Sequence, residues 1–486
     1  MDSQRRRILL AGLVAAIGGA GASSAKAEGS PMAQSAKETW PPMDGRLRLD
    51  REARAAAAQD FGHLVHRMPA GVLYPESDRD VATMIRRAAD LRRKIAPRGQ
   101  GHSAYGRAQV GDGIVIDMTR LRAIHQIGDD RIVVDAGATW SAVLAATLPR
   151  GLTPPVLTDY LELSVGGTLA VGGVGGTTCR YGMLTDNVLE LDVVTGRGEK
   201  ITCSPSSNAE LFDAVRAGLG QVGVITRATL KLIPAPQQVR RYLLAYPDLA
   251  TLLADERLLA ADDRFDVVQG AILPTPTGWT FRLDAARYFS ADAPPDDAAL
   301  LAGLSDERSA AQLGTLGYLE YLGRLAALER LLRANGQWFN PHPWLMTFVG
   351  DSTVESLVGV ELERLTPADL GEFGQIALSA FHRPVAASPL LRLPADELLY
   401  AFNLVRIPTT DARSEADRLV EANRAIYERV RAAGGTLYPV SALPMSAEDW
   451  RRHFGPAWTA FRQAKRTFDP GHVLTPGYEI FPADKL

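Results

Sequence analysis

Cysteine is scarce in this chain. Of 486 residues only Cys179 and Cys203 carry a thiol, too few for a disulfide framework. No CxxC pair and no Cys/His cluster occurs, so no metal site is expected, and both cysteines read as small buried residues. Charge of one sign is lacking as well: 53 Lys and Arg stand against 56 Asp and Glu. No basic stripe runs beside exposed aromatics, which argues against a nucleic-acid partner. Repeats and low-complexity tracts are missing. So is a long apolar run, since the best candidate, residues 10–22, is short and rich in glycine; stable membrane insertion is not expected.

Glycine and proline are plentiful, at 44 and 30 residues, in a sequence that is 46% hydrophobic and 22% charged. This is a globular composition with length for roughly two to three domains. At the N-terminus, Arg5-Arg6-Arg7 precedes the mild apolar run, and Ala25-Lys26-Ala27 offers a small-x-small cleavage site. Residues 1–27 therefore read as a twin-arginine signal that sends the protein to the periplasm or outside the cell. Export in the folded state suggests a cofactor inserted beforehand. Residues 28–59 read as a leader.

Further along, residues 77–93 predict a helix capped by Ser77, with Val81, Met84, Ile85, Ala88 and Leu91 on one face. Strands are expected at 94–96, 113–118 and 131–136, and a helix at 140–148 closed by Gly151. A hairpin at 188–195 and 199–203, a helix at 208–218 and a strand at 224–233 follow. Pro234-Ala235-Pro236 then marks the best boundary. Beyond it, helices alternate with strand-like pieces, the clearest helices being 311–334 and 414–433.

Two glycine clusters stand out. Pro97-Arg98-Gly99-Gln100-Gly101-His102-Ser103-Ala104-Tyr105-Gly106 places one histidine on a loop whose bare backbone can press against something large. Residues 166–176 hold six glycines, too many for a stable helix, yet the interleaved Val, Leu and Thr suggest a packed loop whose amides could hold phosphate. A third match is a false one. Gly218-Leu219-Gly220-Gln221-Val222-Gly223 satisfies GxGxxG, but a helix is expected before it and a strand after, the reverse of a dinucleotide fingerprint.

In order, Arg98-Gly99-Gln100-Gly101-His102-Ser103, Thr158-Asp159-Tyr160-Leu161-Glu162-Leu163-Ser164-Val165-Gly166-Gly167-Thr168-Leu169 and Asn187-Val188-Leu189-Glu190-Leu191-Asp192-Val193-Val194-Thr195-Gly196 resemble the cytokinin dehydrogenases. These are members of the vanillyl-alcohol-oxidase superfamily of FAD enzymes. The likeness continues through 218–227, Pro341-His342-Pro343-Trp344-Leu345, 450–455 and Thr475-Pro476-Gly477, and is weakest between about 237 and 335. It implies an α+β, two-domain PCMH-type FAD-binding fold. Residues 60–236 and 437–486 would form the FAD domain, and 237–436 an inserted α+β substrate domain.

The resemblance also assigns roles. His102 would be bonded covalently to the flavin 8α-methyl carbon. Pro97, Gly99, Gly101, Ser103 and Arg107 from the first loop, and Ser164, Ala170 and Val174 from the second, would wrap the cofactor. Val224, Tyr438, Thr475 and Tyr478 would line it elsewhere. Asp159 inherits the catalytic carboxylate, and Trp344 the tryptophan that closes over substrate. The implied reaction oxidises the C–N bond to the N6 substituent of an N6-(isoprenoid)adenine. Its hydride passes to flavin N5, with reoxidation by a quinone-like acceptor or dioxygen. Chemistry agrees, because no side chain accepts a hydride, and a carboxylate partly desolvated among Tyr160, Leu161 and Leu163 suits proton acceptance. Three positions depart from the family: Gln269 stands for a glutamate that helps hold the substrate amine, Arg107 for a glutamine and Ala170 for a serine. Gln269 keeps open a second reading, another amine or alcohol as substrate.

Overall fold

Ser77 opens the first long helix as its position requires. Its hydroxyl accepts from the Asp80 N–H and the Asp80 carboxylate accepts from the Ser77 N–H, a reciprocal cap on Asp78–Asp90. The computed structural model describes residues 40–383 and 388–482; the expected signal, residues 1–27, lies outside the described residues. Val81, Met84, Ile85 and Ala88 on this helix bury themselves with Leu73, Ile95, Ile114 and Ile116 of a four-stranded sheet. That sheet runs Arg46–Arg48, Gly71–Tyr74, Ile114–Asp117, Ile95–Arg98. Its last two pairings are parallel and its first antiparallel. Residues 46–57, counted with the leader in sequence, form an edge strand of this sheet and the helix Arg51–Ala57.

A second sheet is antiparallel throughout, in the order Ile124–Ile127, Arg131–Asp135, Gly223–Lys231, Val188–Thr195, Lys200–Cys203. The third has eight antiparallel strands and draws on the sequence from Gln238–Tyr246 to Thr436–Leu437. Leu249–Asp262, Asp351–Arg364 and Arg413–Ala432 pack against it. After it, helices Ala447–Phe454 and Trp458–Phe468 lead back to the first sheet, where Val473 and Thr475 exchange backbone hydrogen bonds with Ile95 (2.8 and 2.7 Å).

Three local expectations need correction. Residues 311–334 are not one helix. Leucines at 313, 316, 319 and 322 imitate a helical face, but Gln312–Gly317 is an edge strand paired with residues 238–243, followed by the short helices Tyr318–Leu322 and Ala326–Ala334. The glycine cluster at 166–176 is half helical: Val165–Leu169 forms one turn, and the loop begins only where Gly172 and Gly173 take φ of +113° and +76°. Cys203 is buried but Cys179 only partly so, and both are free thiols. The rejected GxGxxG does sit between the helix Ala209–Val215 and the strand Gly223–Lys231. Among the described residues no helix is long and apolar enough to cross a membrane.

Candidate active site

The strand Ile95–Arg98 runs directly into the His102 loop, and a single buried carboxylate pins that loop. Asp60 Oδ2 accepts from Ser103 Oγ (2.8 Å) and from the Gly106 N–H (2.6 Å). Backbone bonds from Phe61 to Gly101 and from Gly62 to Ser103 add to the hold. They bring the Phe61 ring flat onto His102, with centroids 4.0 Å apart and planes 13° apart. His342 stacks on Phe61 too, at 4.2 Å and 19°, so one imidazole covers each face. Trp338 and Trp344 meet Phe61 edge-on at 5.0 Å, and Tyr160 lies 5.0 Å from His102. Burial pushes His102 down to about 4 and His342 down to about 3, so both rings are neutral at physiological pH. His342 Nδ1 donates to the Phe61 carbonyl (3.1 Å), and its Nε2 has no hydrogen-bond partner among the described residues.

Beside Tyr160, Asp159 belongs to a closed ring of three side chains. Its Oδ1 accepts from Arg324 Nη2 (2.6 Å) and its Oδ2 from Gln269 Nε2 (3.1 Å), while the same Arg324 nitrogen donates to Gln269 Oε1 (3.1 Å). The Asp159 side chain is 40% exposed and that of Arg324 only 14%. The expectation of a carboxylate set among apolar neighbours therefore needs amending, because its closest partner is a cation. Gln269 touches this carboxylate directly, so its amide is not free to meet a substrate amine by itself. Trp344 is fixed by its indole N–H, which donates to the Arg406 carbonyl (2.9 Å).

Comparison with known proteins settles the family. The profile described as "FAD binding domain" matches residues 69–204, and that described as "Cytokinin dehydrogenase 1, FAD and cytokinin binding" matches residues 277–481. The sequence is 36% identical to "Cytokinin dehydrogenase 10" of Oryza sativa subsp. japonica, an alignment covering 90% of this protein and 88% of that one. It is 34% identical to "Cytokinin dehydrogenase 4" of the same plant, covering 91% and 92%. The chain belongs to the cytokinin dehydrogenase family. It is an FAD-dependent oxidoreductase. A bacterial protein, "Uncharacterized oxidoreductase ORF5 in fasciation locus" of Rhodococcoides fascians, is 40% identical over 90% of this protein and 99% of its own length.

In this cytokinin dehydrogenase relative, the other singled-out positions fall into two groups. Some lie at the His102 loop, at the strand that leads into it, or at the second glycine cluster. A β-carbon on Gly99 would lie 2.1 Å from Ser164 Oγ, and one on Gly167 would lie 2.8 Å from it, so only glycine lets these segments meet there. Gly101 takes φ +69° against the Arg98 guanidinium. Thr475 donates to the Gly220 carbonyl (2.7 Å), and Pro97 lies beside the same glycine. Tyr438 Oη accepts from the Gly173 N–H (3.1 Å), next to Val174, while Ala170 ends the Val165–Leu169 turn and receives the Leu219 N–H. The others are buried in packing. Val224 lies in a core cluster with Val473 and Leu474. Arg107 bonds the carbonyls of Leu443 and Gly477 among the rings of Tyr105, Trp450 and Tyr478, so Arg107 and Tyr478 tie the C-terminal return to the His102 loop.

A neutral imidazole on a glycine-lined loop, held by stacking, fits an FAD-binding role. Sequence reasoning missed Asp60, Phe61, Trp338 and Arg324. Asp60-Phe61-Gly62 carried no motif beyond an aromatic beside a glycine, and Arg324 was hidden inside the expected helix at 311–334.

Proposed function

We propose that the protein oxidises the C–N bond to the N6 substituent of N6-(isoprenoid)adenines, the cytokinin class named for its plant relatives. The observation that carries this reading is the Asp159 carboxylate, oriented through both oxygens and adjacent in sequence to Tyr160, which reaches His102. Bound FAD supplies the two-electron acceptor that no side chain provides. His102, neutral and fixed against Phe61, would hold the flavin covalently through its 8α-methyl carbon. Asp159 takes and holds the proton from the substrate nitrogen as its neighbouring carbon is oxidised. Trp344 offers a flat apolar wall for a planar purine, kept in place by its bond to Arg406. Water then cleaves the imine product to adenine and an aldehyde. Residues 1–27 direct the folded enzyme to the periplasm, where a quinone-like acceptor or dioxygen reoxidises it.

The test is anaerobic. The enzyme is expected to purify yellow, to keep its colour through acid precipitation, and to yield a His102 peptide carrying the flavin mass. Isopentenyladenine should bleach it. Asp159→Asn should retain the flavin but reduce it about 100-fold more slowly, within the usual range for loss of a general base. A colourless protein, or an Asp159→Asn variant reduced at full speed, would overturn the corresponding assignment. Bleaching by another amine or an alcohol, with isopentenyladenine inert, would establish the second substrate reading.

A further inference from the structure

Arg324 lies in the turn between the helices Tyr318–Leu322 and Ala326–Ala334. Its guanidinium stacks over the Tyr321 ring at 4.6 Å, and Nη1 donates to the Tyr321 carbonyl at 3.4 Å. Its other terminal nitrogen, Nη2, reaches the Asp159–Gln269 pair described above. We propose that Arg324 is a positioning residue that sets the orientation of the Asp159 carboxylate for proton acceptance. This inference rests on Asp159 being the proton acceptor.

Donors and acceptors in this ring match in only one arrangement. Gln269 presents its NH2 to Asp159 Oδ2 and its carbonyl to Arg324 Nη2. Neither end can reverse without placing oxygen against oxygen or N–H against N–H, so Arg324 fixes the amide and the amide fixes Asp159. Arg324 also contacts Asp159 Oδ1 directly. A carboxylate has about four lone-pair directions. With one donor on each oxygen, the plane of the group is locked while acceptor capacity remains for a substrate N–H.

Competing partners are already engaged. Asp284, the cross-strand neighbour of Gln269, is gripped bidentately by Arg241 at 2.9 and 2.6 Å, which leaves the Arg324 charge to Asp159. An ion pair whose carboxylate is 40% exposed adds little to stability, so the contribution of this one lies in geometry. A glutamate at position 269 would set an acceptor against Asp159 Oδ2. Glutamine and Arg324 thus work as a matched set, the first giving a neutral donor and the second the charge.

The test compares flavin reduction in the holoenzyme, with covalent flavin content and melting temperature recorded for each variant and isopentenyladenine as the probe. Arg324→Met should reduce its flavin about 100-fold more slowly at saturating substrate, the scale of a misplaced catalytic group, with substrate Kd and flavin content close to those of the parent. Arg324→Lys, whose ammonium can still donate to both Asp159 Oδ1 and Gln269 Oε1, should recover at least part of the rate. Free guanidinium ion added to Arg324→Ala should do the same. Parental speed in Arg324→Met overturns the inference, as does a defect confined to Kd, which would make Arg324 a substrate ligand. Should Arg324→Met fail to fold, the lysine variant and the guanidinium rescue decide, and no recovery in either overturns it. Asp159→Asn is run in parallel. If that variant is fast, the reading of Asp159 has failed; if it is slow while Arg324→Met is fast, only the role of Arg324 has failed.

Discussion

Glu256 shows how far one residue can be displaced from its solution chemistry. It lies on the helix Leu249–Asp262, is fully buried, and neither of its oxygens makes a well-formed hydrogen bond among the described residues. Gly270, next to Gln269 in the strand, leaves the room it occupies, since a β-carbon there would stand 2.5 Å from Glu256 Oε1. Burial pushes this carboxyl up to about 8. The folded protein therefore holds a proton that the unfolded state releases near the ordinary glutamate value. The stability linked to Glu256 is full below about pH 4.5 and is lost as pH rises towards 8. Glu256→Gln should leave the melting temperature almost unchanged at pH 5 and raise stability by about 2–4 kcal/mol at pH 9, following the linkage of pKa to free energy. Denaturant titrations at the two pH values measure this, and equal effects at both would contradict it.

Elements follow local rules wherever the local signal is complete. The Asp78–Asp90 helix has its cap, its acidic first turn and its apolar face all in the sequence, and it forms within a few residues of the expected bounds. Asp80 carries more than the cap: its carboxylate also accepts from the N–H groups of Asp44, Gly45 and Glu76 (2.8–2.9 Å), tying the N-terminal strand to this helix. Ser77→Ala should cost about 1 kcal/mol, as capping hydroxyls do. Asp80→Ala should cost clearly more, because several backbone donors lose their acceptor at once. Thermal unfolding of the two variants separates these outcomes. At residues 312–317 the local signal was misleading. Leucine every third residue suits a helix, but an edge position beside residues 238–243 supplies backbone partners that periodicity does not reveal.

On the scale of the whole molecule, the C-terminal return decides whether the His102 loop has a floor. Lys465 and Asp469, both fully buried, are paired at 2.7 Å. The ammonium also reaches the Gln221 carbonyl, and the carboxylate receives the N–H groups of Val473 and Leu474. Through these bonds residues 469–475 are fastened to the turn before Gly223–Lys231 and lie along Ile95, at the base of the strand that leads to His102. Lys465→Met leaves a buried carboxylate without its cation and should destabilise the protein by about 3–5 kcal/mol. If this anchor supports the cofactor site, the same variant should also purify with less flavin per polypeptide, read from the ratio of visible to ultraviolet absorbance. A destabilised variant with full flavin content would show that the anchor acts on stability alone.

The sequence by itself determined the family, the order of its motifs, the two glycine clusters and the identities of His102, Asp159 and Trp344 as candidates, because these rest on residue type and short-range spacing. Only the tertiary structure decided what surrounds them. Phe61 between two imidazoles, Asp60 beneath the loop, and Arg324 and Gln269 around Asp159 join segments up to 281 residues apart. Such contacts are set by strand register and by the path of turns, which depend on what each segment can bury against the rest of the protein, and no local pattern of residues encodes them.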